Sequence, residues 1–451
     1  MPDRLEALGL QPLQLKGRRL LPIVQGGMGV GISAHRLASA VARENAVGTI
    51  ASVDLRHHHA DLMEQCKDVR DRTVLDRLNL VALDREIRTA KEQSRGHGLI
   101  AVNVMKAVDQ HPALVRQSCE SGVDAIVMGA GLPLDLPDMC AGFPDVALIP
   151  ILSDARGVAI VLRRWMRKGR LPDAVVIEHP AYAGGHLGAP RIDELHDPRF
   201  DFDRVIEGVL ETFRDLQIER EKVPLIAAGG INTHEKLRIT LQLGYAAVQL
   251  GTPFAVCEEG DAHVNFKNVL AGAKPEDIVE FMSVAGLPAR AVKTVWLERY
   301  LRREHVLQFE AAAFEEAHKG QPVDRVAKCS GALMCLSVCG LRDGIAKIGQ
   351  FCIDTQLAAA LRGELARGLF FRGALMCLSV CGLRDGIAKI GQFCIDTQLA
   401  AALRGELARG LFFRGALAVP FGTAIRPARE LIDYMLTGRM PAALAAAAAT
   451  R

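Results

Sequence analysis

Eight short apolar runs alternate with helical patterns between residues 21 and 254, and this alternation restricts the fold more than any other feature. The runs are "LPIVQGGMG" (21–29), "VGTIASVDL" (47–55), "LIAVNVM" (99–105), "AIVMGAGLP" (125–133), "ALIPILSD" (147–154), "AVVIEHPAYAGGHLG" (174–188), "PLIAAGGI" (224–231) and "AAVQLGTPF" (246–254). Between them lie helical stretches such as "SAHRLASAVAREN", "RGVAIVLRRWMRKG" and "HEKLRITLQLG". The last stops at Gly244, as a helix closed by a left-handed glycine does. Strands that are apolar end to end are buried on both faces, and strand–helix alternation implies a parallel sheet. Eight units predict a (β/α)8 TIM barrel rather than an open sheet, which averages about five or six strands.

The pattern assigns residues 1–265 to the barrel and residues 266–330 to an α-helical cap or substrate region. The stretch "FKNVLAGAKPEDIVEFMSVAGLPARAVKTVWLERYLRREHVLQFEAAAFEEAH" reads as helical throughout, charged on one side. Residues 331–372 then recur letter for letter as residues 373–414, a tandem duplication of 42 residues. Genuine repeat arrays need about three or more units to bury a shared core. Each copy carries the helix "DTQLAAALRGELARG", for which a barrel has one natural place, so the duplicate reads as a passenger left by a slipped duplication. Residues 415–451 hold "RPARELIDYMLTG" (426–438), expected to return as the eighth barrel helix, and an alanine-rich tail.

Composition limits the function class. The chain has 451 residues, 49% of them apolar and 24% charged, with 55 basic against 52 acidic side chains. A net charge of +3 without a basic, aromatic-interleaved stripe disfavours nucleic acid as a partner. No run of about 18 apolar residues could span a membrane, and the start lacks the apolar core of a secretory signal. The 11 cysteines then read as reduced thiols or ligands in a cytoplasmic protein. A homo-oligomer is left open.

Barrel chemistry gathers at the C-terminal ends of the strands, and the loops after the seventh and eighth strands commonly bind phosphate. Here these are "AAGGIN" (227–232) and "QLGT" (249–252). Gly229 and Gly230 let the backbone approach an anion, Gly251 continues the second turn, and Thr252 adds a hydroxyl. After the sixth strand, "AGGHLG" (183–188) holds His186 beyond Gly184 and Gly185, where an imidazole suits a general base or an anion donor. His179, nearer the strand body, reads as structural. "QGGMG" (25–29) lets a flat ring approach Gly27 and pack on Met28, while Asn103 both donates and accepts, as a mixed-polarity ring edge requires.

Two other clusters read as non-catalytic. In "RHHH" (56–59), consecutive side chains splay apart and cannot share one metal ion, so a solvated helix start is expected. Cys329, Cys335, Cys339 and Cys352 lie in apolar sequence with spacing unlike common zinc sites, so no metal is assigned.

In this order, "QGGMG", "VNVM", "AGGHLG", "AAGGI" and "QLGT" resemble the nitronate monooxygenase (formerly 2-nitropropane dioxygenase) family of FMN-dependent barrel enzymes. Flavin-type enoyl-acyl-carrier-protein reductases are similar too. The resemblance covers about residues 15–330 and resumes at "LFFRGALAVPFGTAIRPARELIDYMLTG". It implies that Gly229, Gly230, Gly251 and Thr252 hold the FMN phosphate. Gly27, Met28, Asn103, Gly184, Gly185 and Gln249 would line the flavin, with Glu178 on a ribityl hydroxyl or orienting His186. His186 would remove the proton alpha to a nitro group, or stabilise a nitronate, with O2 as oxidant. The alternative reading is an NAD(P)H-dependent flavin reductase of the enoyl-thioester or quinone type. His179 and Tyr182 depart from the commonest form of the "AGGH" motif, which bears on substrate shape.

Overall fold

The computed structural model describes residues 2–66, 69, 72–108, 110–282, 288–298, 300–302, 396–408 and 410–449. All eight apolar runs form strands: β1 (Ile23–Gln25), β2 (Val47–Ala51), β3 (Leu99–Met105), β4 (Ala125–Gly129), β5 (Ala147–Leu152), β6 (Val175–Glu178), β7 (Leu225–Ala228) and β8 (Ala247–Leu250). They pair in parallel and in chain order, and β8 pairs with β1, so the sheet closes into a barrel.

Alternation along each strand separates two cores. Val24, Ala101, Val127, Ile149, Val176, Ile226 and Ala247 turn into the barrel. Ile23, Ile50, Ile100, Ile126, Leu148 and Ile177 turn out against helices. Both sets are buried, which is why the strands are apolar without interruption. An N-terminal hairpin, Leu13–Leu15 with Arg18–Leu20, places Leu13, Leu15 and Leu20 among the first residues of the strands and closes the barrel's N-terminal end.

The outer helices are α1 (His35–Arg43), α2 (Arg72–Ser94), α3 (His111–Glu120), α4 (Leu136–Met139), α5 (Ala155–Met166), α6 (Phe202–Asp215), α7 (His234–Gln242) and α8 (Ala428–Thr437). As expected, α8 returns to complete the ring: it packs on both α7 and α1, and the His234 ring nitrogen lies 2.9 Å from the Met435 carbonyl. No described helix is long and apolar enough to cross a membrane.

The excursion between β8 and α8 departs from the all-helical expectation. A helix, Val264–Gly272, is followed by an antiparallel hairpin, Ile278–Met282 with Pro288–Val292. Phe281, Ala289 and Ala291 are buried with Leu297, Tyr300 and Leu411, while Glu280 and Arg290 form an ion pair across the hairpin. Two of the charges that suggested one side of a helix, Glu280 and Arg290, are thus a cross-strand pair. Residues 303–395, with the first repeat copy and Cys329, Cys335, Cys339 and Cys352, lie outside the described residues.

Candidate active site

The loops at the C-terminal ends of the strands bring the singled-out residues to one mouth. A Cβ on Gly27 would overlap Asn103 Cβ, and one on Gly26 would lie 3.3 Å from Gln249 Cγ. The loop after β1 therefore rests directly on Asn103 of β3 and Gln249 of β8. Met28 extends it, its sulfur 3.9 Å from where a Cβ on Gly251 would stand. Asn103, Glu178 and Gln249 each follow an inward residue (Ala101, Val176, Ala247) by two, so they form the polar top layer of the barrel interior.

The two turns expected to bind phosphate are conformationally specific. Gly229 and Gly230 have φ of +95° and +77°, and a Cβ at Gly229 would stand 2.9 Å from the His179 carbonyl. Gly251 opens the short helix Thr252–Ala255, whose first N–H has no intrahelical acceptor. Thr252 Oγ1 accepts a bond from the Gly415 N–H at 2.9 Å, leaving its own proton to donate. Lys236, which the sequence did not single out, donates to the Gly230 carbonyl at 3.2 Å; burial lowers its pKa.

His186 sits in a two-residue strand, Gly185–His186, on the edge of Pro288–Val292, with Ala289 as its register partner. Gly185 needs its positive φ of +78°, and a Cβ at Gly184 would stand 2.6 Å from the Arg414 carbonyl carbon. The His186 ring meets Phe413 edge-on at 5.4 Å. Desolvation pushes its pKa down to about 4, so the imidazole is neutral near pH 7. Desolvation also raises Glu178, to about 7, which places a carboxyl group of either protonation state in the same mouth.

His179 is committed elsewhere. Its Nδ1 accepts from the Ala181 N–H at 3.2 Å, Nε2 lies 3.4 Å from Asp201, and Tyr182 and Phe202 flank the ring. Arg290, invisible as a site residue in the sequence, holds the same loop from below. It donates to the Pro180 carbonyl at 3.1 Å and to the Ala183 carbonyl, and it pairs with Glu280.

"RHHH" is a partly buried structural network rather than a solvated start. Arg56 is 1% exposed and bonded to Asp54 and to Asn79, and burial pushes His57 down to about 3. The side chains do splay: His58 reaches the Gly31 carbonyl at 2.7 Å and His59 reaches Glu86 at 3.0 Å. Among the described residues no group of His, Cys, Asp and Glu is arranged to hold a metal ion.

A family model for nitronate monooxygenase matches residues 16–374, well over half of the chain. The chain belongs to the nitronate monooxygenase family. It is a flavin-type oxidoreductase on a TIM barrel. A probable nitronate monooxygenase of Bacillus subtilis is 27% identical over 288 residues, 61% of this chain and 78% of that protein. The nitronate monooxygenase of Pseudomonas aeruginosa is 34% identical over 120 residues, 27% of this chain and 31% of the other. Two solved structures share the fold. FabK from Thermotoga maritima has a TM-score of 0.54 at 20% identity, covering 96% of this chain and 94% of the other. The nitroalkane oxidase from Streptomyces ansochromogenes has a TM-score of 0.51 at 18% identity, covering 99% of each.

The duplication ends at this candidate site, because Phe413 and Arg414 are the last residues of the second copy. The first copy ends in the same pair, Phe371 and Arg372, so removing either copy yields one and the same chain. That 42-residue deletion is expected to keep flavin content and melting temperature, since Phe-Arg-Gly still enters the mouth in register. Loss of flavin or solubility in the deletion protein would show that the duplicate has been recruited.

Proposed function

We propose that the protein is an FMN-dependent nitronate monooxygenase that oxidises alkyl nitronates, or the nitroalkanes they come from, with O2. The observation that carries this reading is a neutral imidazole, His186, on a braced strand at the same mouth as the left-handed Gly229–Gly230 turn and the helix start at Gly251. The mouth suits a flavin phosphate: glycine turns admit close approach, and Thr252 keeps a proton to donate. FMN, when bound, would supply the redox step between nitronate and O2.

The chain's own residues do the rest. Gly229, Gly230, Gly251 and Thr252 would seat the phosphate, and Gly27, Met28, Asn103, Gly184, Gly185 and Gln249 would border the ring and ribityl chain. His186, unprotonated because desolvation disfavours its cation, would take the proton alpha to the nitro group at its imidazole. Arg290 keeps the loop ahead of it in place.

Anaerobic mixing tests the proposal. Propionate 3-nitronate is expected to bleach the flavin within the mixing time, while NADPH leaves the spectrum unchanged. Bleaching by NADPH alone would replace this reading with the NAD(P)H-dependent reductase.

A further inference from the structure

Arg414 is 2% exposed, yet its Nε and Nη1 have no hydrogen-bond partner. A buried guanidinium with unmet N–H donors is costly unless a ligand completes it. Arg290, whose carbonyl accepts from the Arg414 N–H, is engaged by Glu280 and by the Pro180 and Ala183 carbonyls. Among the described residues Asp277 acts on Arg414 through space, and no salt bridge joins Arg414 to a carboxylate.

The backbone around Arg414 leads to the phosphate turns. The Arg414 N–H reaches the Arg290 carbonyl at 3.4 Å, Gly415 donates to Thr252 Oγ1 at 2.9 Å, and Ala416 donates to the Tyr182 carbonyl at 3.1 Å. Side chains alternate along this extended segment. Phe413 turns toward His186, whereas Phe412 joins Met28, Ala255 and Val256. By this alternation Arg414 lies on the Phe412 side, away from the imidazole.

We propose that Arg414 is the charged receptor for the phosphate monoester of the flavin, which rests on the reading of the mouth as an FMN site. The glycine turns themselves offer backbone N–H groups to a dianion, with Lys236 beside Gly230 as one cation. A planar guanidinium one residue from the Thr252 contact adds a charge that can bind the phosphate through two donors.

Riboflavin, which lacks the phosphate, makes the test. Deflavinated wild type, Arg414→Gln and Arg414→Lys are titrated with FMN and with riboflavin, following flavin fluorescence. Arg414→Gln is expected to weaken FMN by about 10- to 100-fold, with riboflavin unchanged and Arg414→Lys in between. The ligand-free Gln variant should melt no lower than wild type, because it removes an uncompensated buried charge. Equal loss for both flavins, or no loss for either, overturns the proposal. If wild type binds neither flavin, the FMN reading fails by itself. Calorimetric titration with inorganic phosphate then decides the receptor: binding that disappears in Arg414→Gln supports it, and equal or absent binding overturns it.

Discussion

His186→Asn is expected to keep its flavin and to lose turnover of a neutral nitroalkane by about 100- to 10,000-fold, the usual contribution of a general base. Turnover of the pre-ionised nitronate should fall far less, because its proton is already gone. The ring occupies an edge-strand position opposite Ala289 and against Phe413, so asparagine fills the same place without the basic nitrogen. Stopped-flow reduction with each substrate form checks this, and equal losses on both would remove the proton-abstraction role.

The pH dependence follows from the same residue. An imidazole titrating at about 4 stays a base well below the ordinary value of about 6.5. The acid limb of kcat/KM for the neutral substrate should therefore extend toward pH 4. For stability the sign is the same. The unfolded chain takes up this proton near pH 6.5 and the folded one only near 4. His186 thus contributes stability above that range, and the contribution is lost as pH falls through it.

Gly230→Val should purify essentially without flavin. The residue has φ +77°, where a β-branched side chain is strained, and its Cβ would stand 2.9 Å from Tyr182 Cγ. Relief requires the turn to move, which displaces the N–H groups that would face the phosphate. Strain alone is controlled by Gly169→Val, at φ +68° in a turn where a Cβ meets nothing within 4 Å. The flavin-to-protein absorbance ratio decides, with circular dichroism to confirm folding. A normal ratio in Gly230→Val would refute the phosphate assignment.

The barrel was legible because its physics is local. A parallel strand covered on both sides must be apolar along its length, so β1 to β8 announce themselves one by one. The glycine turns were legible for a related reason: only glycine serves at Gly229 and Gly230, where φ is positive and the Tyr182 loop presses close. The excursion was not legible. "IVEFM" and "PARAV" carry both strand-like alternation and helix-like charge, and only pairing of Glu280 with Arg290 tells them apart. Arg56 and His57 looked solvated because burial of charge depends on partners such as Asp54 and Asn79, which a local window cannot pair with them.

By itself, then, the sequence determined the barrel, the return of α8 and the turns that need glycine, since each follows from side-chain volume and periodicity. Tertiary structure alone decided which far-off groups surround His186. Arg290 reaches the Ala183 carbonyl across 107 residues, and Phe413 and Arg414 arrive from a repeat whose two copies are identical in sequence. Identical sequences carry identical local preferences, so it is the contacts of Gly415 with Thr252 and of Ala416 with Tyr182, just beyond the second copy, that seat its Phe-Arg pair at the mouth.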